Sequence, residues 1–135
     1  SDLYQYLGRR PESAASTRLY TNFLDGLEID AFLGIHPPEL AARQRVIVNV
    51  EMLCEYEGAL EDRIESVLDY DFLREGILAM ARDDRFALQE TLCERIAALC
   101  WECAHVQVVR VSTMKPDIYP EAKAIGCRIV RVRPG

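Results

Sequence analysis

The sequence predicts an α+β domain in which antiparallel strands present one face to two helices, and three features of the chain carry that reading. Two segments near the start alternate apolar and polar residues, two segments in the middle repeat apolar residues at helical spacing, and the last third returns to β-rich composition. The order is ββααββ. At 135 residues the chain fits one domain, with half its residues hydrophobic and 28% charged, an ordinary globular balance.

Ser1 to about Arg18 mixes turn-formers with arginine and shows no sustained period, so residues 1–18 read as an extension or partner-contacting arm without chemistry, and residues 19–135 as the domain. From Leu27, the apolar Leu27, Ile29, Ala31 and Leu33 alternate with Glu28 and Asp30, the signature of a half-buried strand that ends at Gly34. His36-Pro37-Pro38-Glu39 cannot continue it, because each proline lacks a backbone donor and restricts the residue before it; a loop is expected. Arg45 to Tyr56 puts Val46, Val48, Val50 and Met52 on one face, a second strand and a hairpin partner for the first. Asp69 is suited to cap a helix carrying Tyr70, Leu73, Ile77, Met80 and Ala81, closed by a turn at Asp83-Asp84-Arg85. A second helix starts near Leu88, with Leu88, Leu92, Ile96, Leu99 and Cys103 as its stripe and Glu90 in its first turn. The two helices are expected to form an antiparallel pair. Val106–Met114 and Ala124–Val132 then read as strands, separated by a loop that Pro116 and Pro120 enforce. An open sheet of this kind has exposed edges, so subunits are expected to join their sheets into a ring or barrel.

Composition excludes several function classes. A net charge of −6 and the lack of a Lys/Arg cluster beside the aromatics argue against nucleic acid. No apolar run approaches the roughly 18–20 residues of a membrane span, and no signal peptide pattern opens the chain, so a cytoplasmic protein without a membrane partner is expected. The five cysteines are dispersed through apolar segments, as reduced thiols behaving like small hydrophobes, and no disulfide is expected. Cys100-x-x-Cys103 lies late in a helix rather than at its N-terminus, where the dipole would stabilise a thiolate, so it reads as core. With only His36 and His105, a three-histidine zinc site cannot be built, and no metal is expected.

Glu39, Tyr70, Glu90 and Lys115 each fall where a loop meets a strand or helix, which is where sites are built. Taken alone, Glu90 is an acid at a helix N-terminus and Lys115 a solvated strand end. Yet Lys115 and Lys123 are the only lysines among many arginines, and arginine cannot release a proton near neutral pH. Around these positions the runs Phe32-Leu33-Gly34-Ile35-His36-Pro37-Pro38-Glu39, Val67-Leu68-Asp69-Tyr70, Leu88-Gln89-Glu90-Thr91-Leu92 and Met114-Lys115-Pro116, followed by Ala124-Ile125-Gly126-Cys127, resemble the dihydroneopterin aldolase family over about Leu19 to Arg133.

That resemblance implies a tunnelling fold assembled into a ring, a homo-oligomer of four or of two stacked tetramers, with each site between neighbouring subunits. It implies a pterin substrate and no cofactor: the dihydropterin's own C=N bond takes up the electrons released on C–C cleavage, yielding 6-hydroxymethyl-7,8-dihydropterin and glycolaldehyde. Glu90 would be the carboxylate that grips the ring's paired N–H donors. Lys115, Tyr70 and Glu39 would be catalytic: the lysine exchanges a proton with the side-chain hydroxyl, the tyrosine relays one to the enol-like intermediate, and the loop acid places the side chain and its water. Gln89, Asp69 and Leu68 would contact substrate, Gln89 mainly through its backbone. Asp69 stands where relatives often carry Ser or His, and its charge bears on side-chain stereochemistry. The related epimerases of dihydroneopterin or its triphosphate and the dihydromonapterin aldolases share most of these residues, and a non-catalytic pterin-binding ring is the alternative outside enzymes.

Overall fold

The computed structural model describes residues 2–8, 17–58, 60–63 and 67–135. A 17-residue strand β1 (Thr17–Leu33) leads through a short helix α1 (Pro37–Ala41) to β2 (Gln44–Glu57). Helix α2 (Tyr70–Asp83), a two-residue strand β3 (Arg85–Phe86), helix α3 (Gln89–Cys100) and strands β4 (Val106–Lys115) and β5 (Ile125–Val132) complete the chain, and a 3-10 turn (Asp2–Tyr6) precedes it all. The sheet runs β3-β1-β2-β4-β5. Among the described residues, no helix is long and apolar enough to cross a membrane.

The two-strand hairpin, the two long helices and the β-rich ending match the sequence reading, but the plain ββααββ order and the purely antiparallel sheet do not hold. Arg85 and Phe86 pair in parallel with Phe32 and Leu33, so the expected turn after α2 is a fifth strand and the sheet is mixed. The expected loop at Pro37-Pro38 is a helical turn instead, because the first turn of a helix is where missing amide protons cost nothing.

Strand β1 begins ten residues earlier than the alternation indicates, and a bulge explains why. Leu24 pairs with Val50 and Leu27 with Val48, so β1 carries one extra residue there. Gly26 takes a positive φ of 72°, and its amide donates to Asn49 Oδ1 at 2.6 Å. Before the bulge the even-numbered Asn22 and Leu24 share the helix-covered face with Met52 and Val50; after it the odd-numbered Leu27, Ile29, Ala31 and Leu33 do. The alternation changes phase, and each half alone looks too short to read.

The core lies between that face and the helices. Leu73, Ile77, Met80 and Ala81 of α2 and Leu92, Cys93, Ile96, Ala97 and Cys100 of α3 bury against Val46, Val48, Val50, Met52, Val109 and Val111. The α3 stripe is rotated from the expected one, and Leu88 is half exposed. Gly76 permits close helix packing, since a Cβ there would meet Leu99 Cδ2 at 2.5 Å. Burial pushes the thiol of Cys100 up to about 12 and that of Cys54 up to about 11, the behaviour of core residues rather than of redox nucleophiles. On the opposite face the 3-10 turn inserts fully buried Leu3 against Leu53 and Val108, and Asp2 pairs with Arg110.

Candidate active site

Lys115 is the last residue of β4, and the strand register carries its side chain inward beside the end of β1. It is buried, with 6% of its surface exposed. A buried ammonium must be paired and hydrogen-bonded, and both conditions are met: Nζ donates to Leu33 O at 2.6 Å and to Glu39 Oε2 at 2.7 Å. The second oxygen of Glu39, Oε1, accepts the backbone N–H groups of Ile35 at 3.2 Å and His36 at 3.1 Å. These donors, with the ammonium contributing most, hold the Glu39 carboxyl down at about 2. Gly34 makes the arrangement possible, because its φ of 145° favours glycine and a Cβ there would lie 2.2 Å from the Glu39 carboxyl. Gln44 Nε2 donates to the same Leu33 carbonyl at 2.9 Å and fixes it as an acceptor.

Glu90 sits in the first turn of α3, facing the same cavity of about 280 Å³ as Lys115 and Glu39. Among the described residues its side chain makes no hydrogen bond or ion pair, so its carboxylate is available to a ligand. Half-exposed Ile35, Leu88, Ile118, Tyr119 and Ile125 form an apolar rim. The Gln89 side chain reaches across to the sheet, accepting from Thr113 Oγ1 at 2.9 Å and donating to Ile125 O at 3.3 Å. It thereby tethers the start of α3 across β4 and β5. Gly126 lets those strands approach, since a Cβ there would meet Thr113 O at 2.2 Å.

The remaining expected site residues lie elsewhere. Leu68 and Asp69 line a second cavity of about 360 Å³ with Val67, Phe72, Glu102 and Cys103. Asp69 Oδ1 caps α2, accepting from Asp71 N at 2.9 Å and Phe72 N at 3.4 Å, so its charge is taken up by a helix N-terminus. Leu68 N–H donates to Tyr56 Oη, at the end of β2 opposite to Lys115. Tyr70, exposed at 40%, accepts a hydrogen bond from Asn22 Nδ2 at 2.7 Å. Asn22 is level with Met52 and hence with Val109, six residues from Lys115, roughly 20 Å along the strand at about 3.3 Å per residue. One chain therefore brings Lys115, Glu39, Glu90 and Gln89 together and holds Tyr70, Leu68 and Asp69 apart. The sequence gives no site role to Asn22, Tyr56, Gln44 or Gly34; only Gly34, a glycine between a strand and two prolines, carries a visible signal.

This geometry can be compared with known proteins. A family model described as FolB, dihydroneopterin aldolase, matches residues 22–130. The chain belongs to the dihydroneopterin aldolase family. It is 30% identical over 95 residues to the dihydroneopterin aldolase of Streptomyces coelicolor, covering 70% of this chain and 80% of that protein. It is 29% identical over 100 residues to the dihydroneopterin triphosphate 2'-epimerase of Pseudomonas aeruginosa, covering 73% and 81%. Among solved structures, the dihydroneopterin aldolase of Burkholderia thailandensis bound to guanine superposes with a TM-score of 0.72 at 33% identity, over 89% of this chain and 94% of that one. Every member of the Lys115 cluster falls within the matched span.

Proposed function

We propose that this chain cleaves 7,8-dihydroneopterin by a retro-aldol reaction into 6-hydroxymethyl-7,8-dihydropterin and glycolaldehyde, using no metal or organic cofactor. The observation that carries the reading is a buried ammonium, Lys115, held in hydrogen-bonding reach of an acid and sharing one cavity with the unpaired Glu90 at a helix start. A carboxylate is the bidentate acceptor that a pterin's adjacent amino and amide N–H groups require. The apolar rim suits a flat heterocycle. With the ring anchored, Lys115 reacts as its neutral amine, having passed its extra proton to solvent through a water that Glu39 positions, and through that water the amine takes the proton of the C2' hydroxyl. The C1'–C2' bond breaks, glycolaldehyde leaves, and the electron pair moves into the ring's C=N bond. Tyr70 then supplies a proton to C1', and the proton taken at the hydroxyl returns to the tyrosine through water.

Tyr70, Leu68 and Asp69 are too far from Lys115 within one chain to touch the same substrate, so we take the working site to lie between subunits, with the Lys115 cluster from one and the Tyr70 end from its neighbour. The open edges support assembly: β5 pairs only with β4, and β1 pairs outward only at Phe32 and Leu33 among the described residues. A closed ring of four chains, single or stacked in pairs as an octamer, would satisfy both edges in the manner of a tunnelling fold. We also take the enzyme to work in the cytoplasm, in keeping with five free cysteines.

The likeness to the Pseudomonas epimerase favours one second reading. Epimerisation at C2' begins with the same cleavage and ends with re-addition of the aldehyde. The deciding experiment incubates purified protein with dihydroneopterin, its C2' epimer and its triphosphate, and follows glycolaldehyde release against epimer formation. Glycolaldehyde as the main product supports the aldolase; epimer as the main product replaces it with the epimerase. Tight pterin binding without turnover would leave a binding ring.

A further inference from the structure

Tyr70 does not stand free: its hydroxyl oxygen ends a chain of hydrogen bonds that begins in the protein interior. Leu68 N–H donates to Tyr56 Oη at 3.3 Å, Tyr56 Oη donates to Asn22 Oδ1 at 3.3 Å, and Asn22 Nδ2 donates to Tyr70 Oη at 2.7 Å. The direction is fixed from the buried end. A backbone amide can only donate, so Tyr56 accepts there and offers its own proton onward, which sets the Asn22 carbonyl toward Tyr56 and its amino group toward Tyr70. Tyr56 is 3% exposed, and burial pushes its phenol well above the ordinary tyrosine value, so it stays protonated as a donor. The bulge in β1 is what turns Asn22 to this face of the sheet.

We infer that Asn22 is a positioning residue which orients the Tyr70 proton toward the substrate and, by holding the oxygen that proton leaves, sets the partition between cleavage and epimerisation. The inference rests on Tyr70 as the proton donor of the proposed reaction. With its oxygen accepting from Asn22, the Tyr70 proton points outward. When the proton passes to C1' of the intermediate, the electron pair of the O–H bond stays on the phenolate oxygen, against the Asn22 N–H. Hydrogen bonds to charged oxygen are the strong ones. The intermediate has two fates while glycolaldehyde is still bound. Protonation at C1' commits it to 6-hydroxymethyl-7,8-dihydropterin, whereas re-addition of the aldehyde by its other face regenerates the C1'–C2' bond as the C2' epimer. Weakening the donor slows the first path and leaves the second untouched.

The test is Asn22→Asp, which keeps the shape and the acceptor for Tyr56 but replaces the donor with a carboxylate that draws the Tyr70 proton toward itself. Wild type, Asn22→Asp, Tyr70→Phe and the double variant are incubated with 7,8-dihydroneopterin, and the ratio of cleavage product to epimer is read by chromatography alongside kcat and KM. The ratio should fall about tenfold in Asn22→Asp, the size expected when a hydrogen bond to a charged oxygen is lost, with KM held within about twofold. No further fall should follow in the Tyr70→Phe background. A misfolded variant loses turnover altogether, so Asn22→Leu, which also lacks the amide donor, is run beside Asn22→Asp; an unmoved ratio in either variant that still turns over, or an equal fall in the Tyr70→Phe background, overturns the role of Asn22 while the aldolase reading stands. A wild-type protein that forms neither product overturns both.

Discussion

The two ends of the sheet are built to different standards. At the Lys115 end the ammonium is buried, both oxygens of its acid are occupied, and two glycines, Gly34 and Gly126, clear the space. At the Tyr70 end the phenol is exposed, Asp69 is spent on a helix cap, and order comes from a hydrogen-bond chain rooted in Tyr56. Groups that must exchange protons while bound to one another are locked by the chain that carries them. In the proposed intersubunit site, groups that meet the substrate from across the boundary need only be aimed, because the neighbour would supply the enclosure.

The largest effect should come from the locked end. Lys115→Ala is expected to lower kcat about a thousandfold, within the range of lost acid–base catalysis, with pterin affinity changed by less than about threefold. Stopped-flow or steady-state assays with calorimetric binding check both numbers, and normal turnover would remove the mechanism. Next, Glu90→Ala should weaken pterin binding about a hundredfold, as expected when two charge-assisted hydrogen bonds leave a closed cavity, which fluorescence titration reads directly. Unchanged affinity would put the ring elsewhere. The contrast itself is tested by mixing: Lys115→Ala and Tyr70→Phe chains, each deficient in cleavage alone, should regain about a quarter of wild-type cleavage activity when unfolded and reassembled in equal amounts, since a shared site then draws an intact half from each. A site confined to one chain regains nothing. The smallest effect concerns acid. The Glu39 carboxyl is held at about 2 against an ordinary value of 4.5, so the ion pair contributes stability above about pH 4.5 and loses it as the pH falls to about 2. Because the carboxylate is near solvent, that contribution is under about 1 kcal/mol, measurable as the difference between wild type and Glu39→Gln in denaturant midpoint at pH 6 and its disappearance near pH 2.

Period carried most of the fold, and it failed where the period itself broke. Val46, Val48, Val50 and Met52 show their buried face without help, and Leu73, Ile77 and Met80 do so for α2. The first half of β1 was invisible because the extra residue at Gly26 shifts the alternation, and β3 because two residues have no period at all. The placement of Glu90 with Lys115 was legible only through ordered motifs: twenty-five residues separate them, and nothing local says that α3 starts beside the end of β4. The separation of Tyr70 from Lys115 could not be read, since a linear motif order does not reveal which end of a strand each loop reaches. Asn22 carried no signal, being one polar residue on a face whose identity depends on the bulge.

That bulge gives the protein an unusual failure mode. Replacing Gly26 with a residue that cannot hold its positive φ would iron the bulge out by slipping the residues before it one place along β2, so the chain could still fold around Val46, Ile77 and Ile96 while Tyr20, Asn22 and Leu24 turn to the far side of the sheet. A single glycine substitution would thus divorce architecture from chemistry, leaving a well-folded relative whose tyrosine has lost its guide.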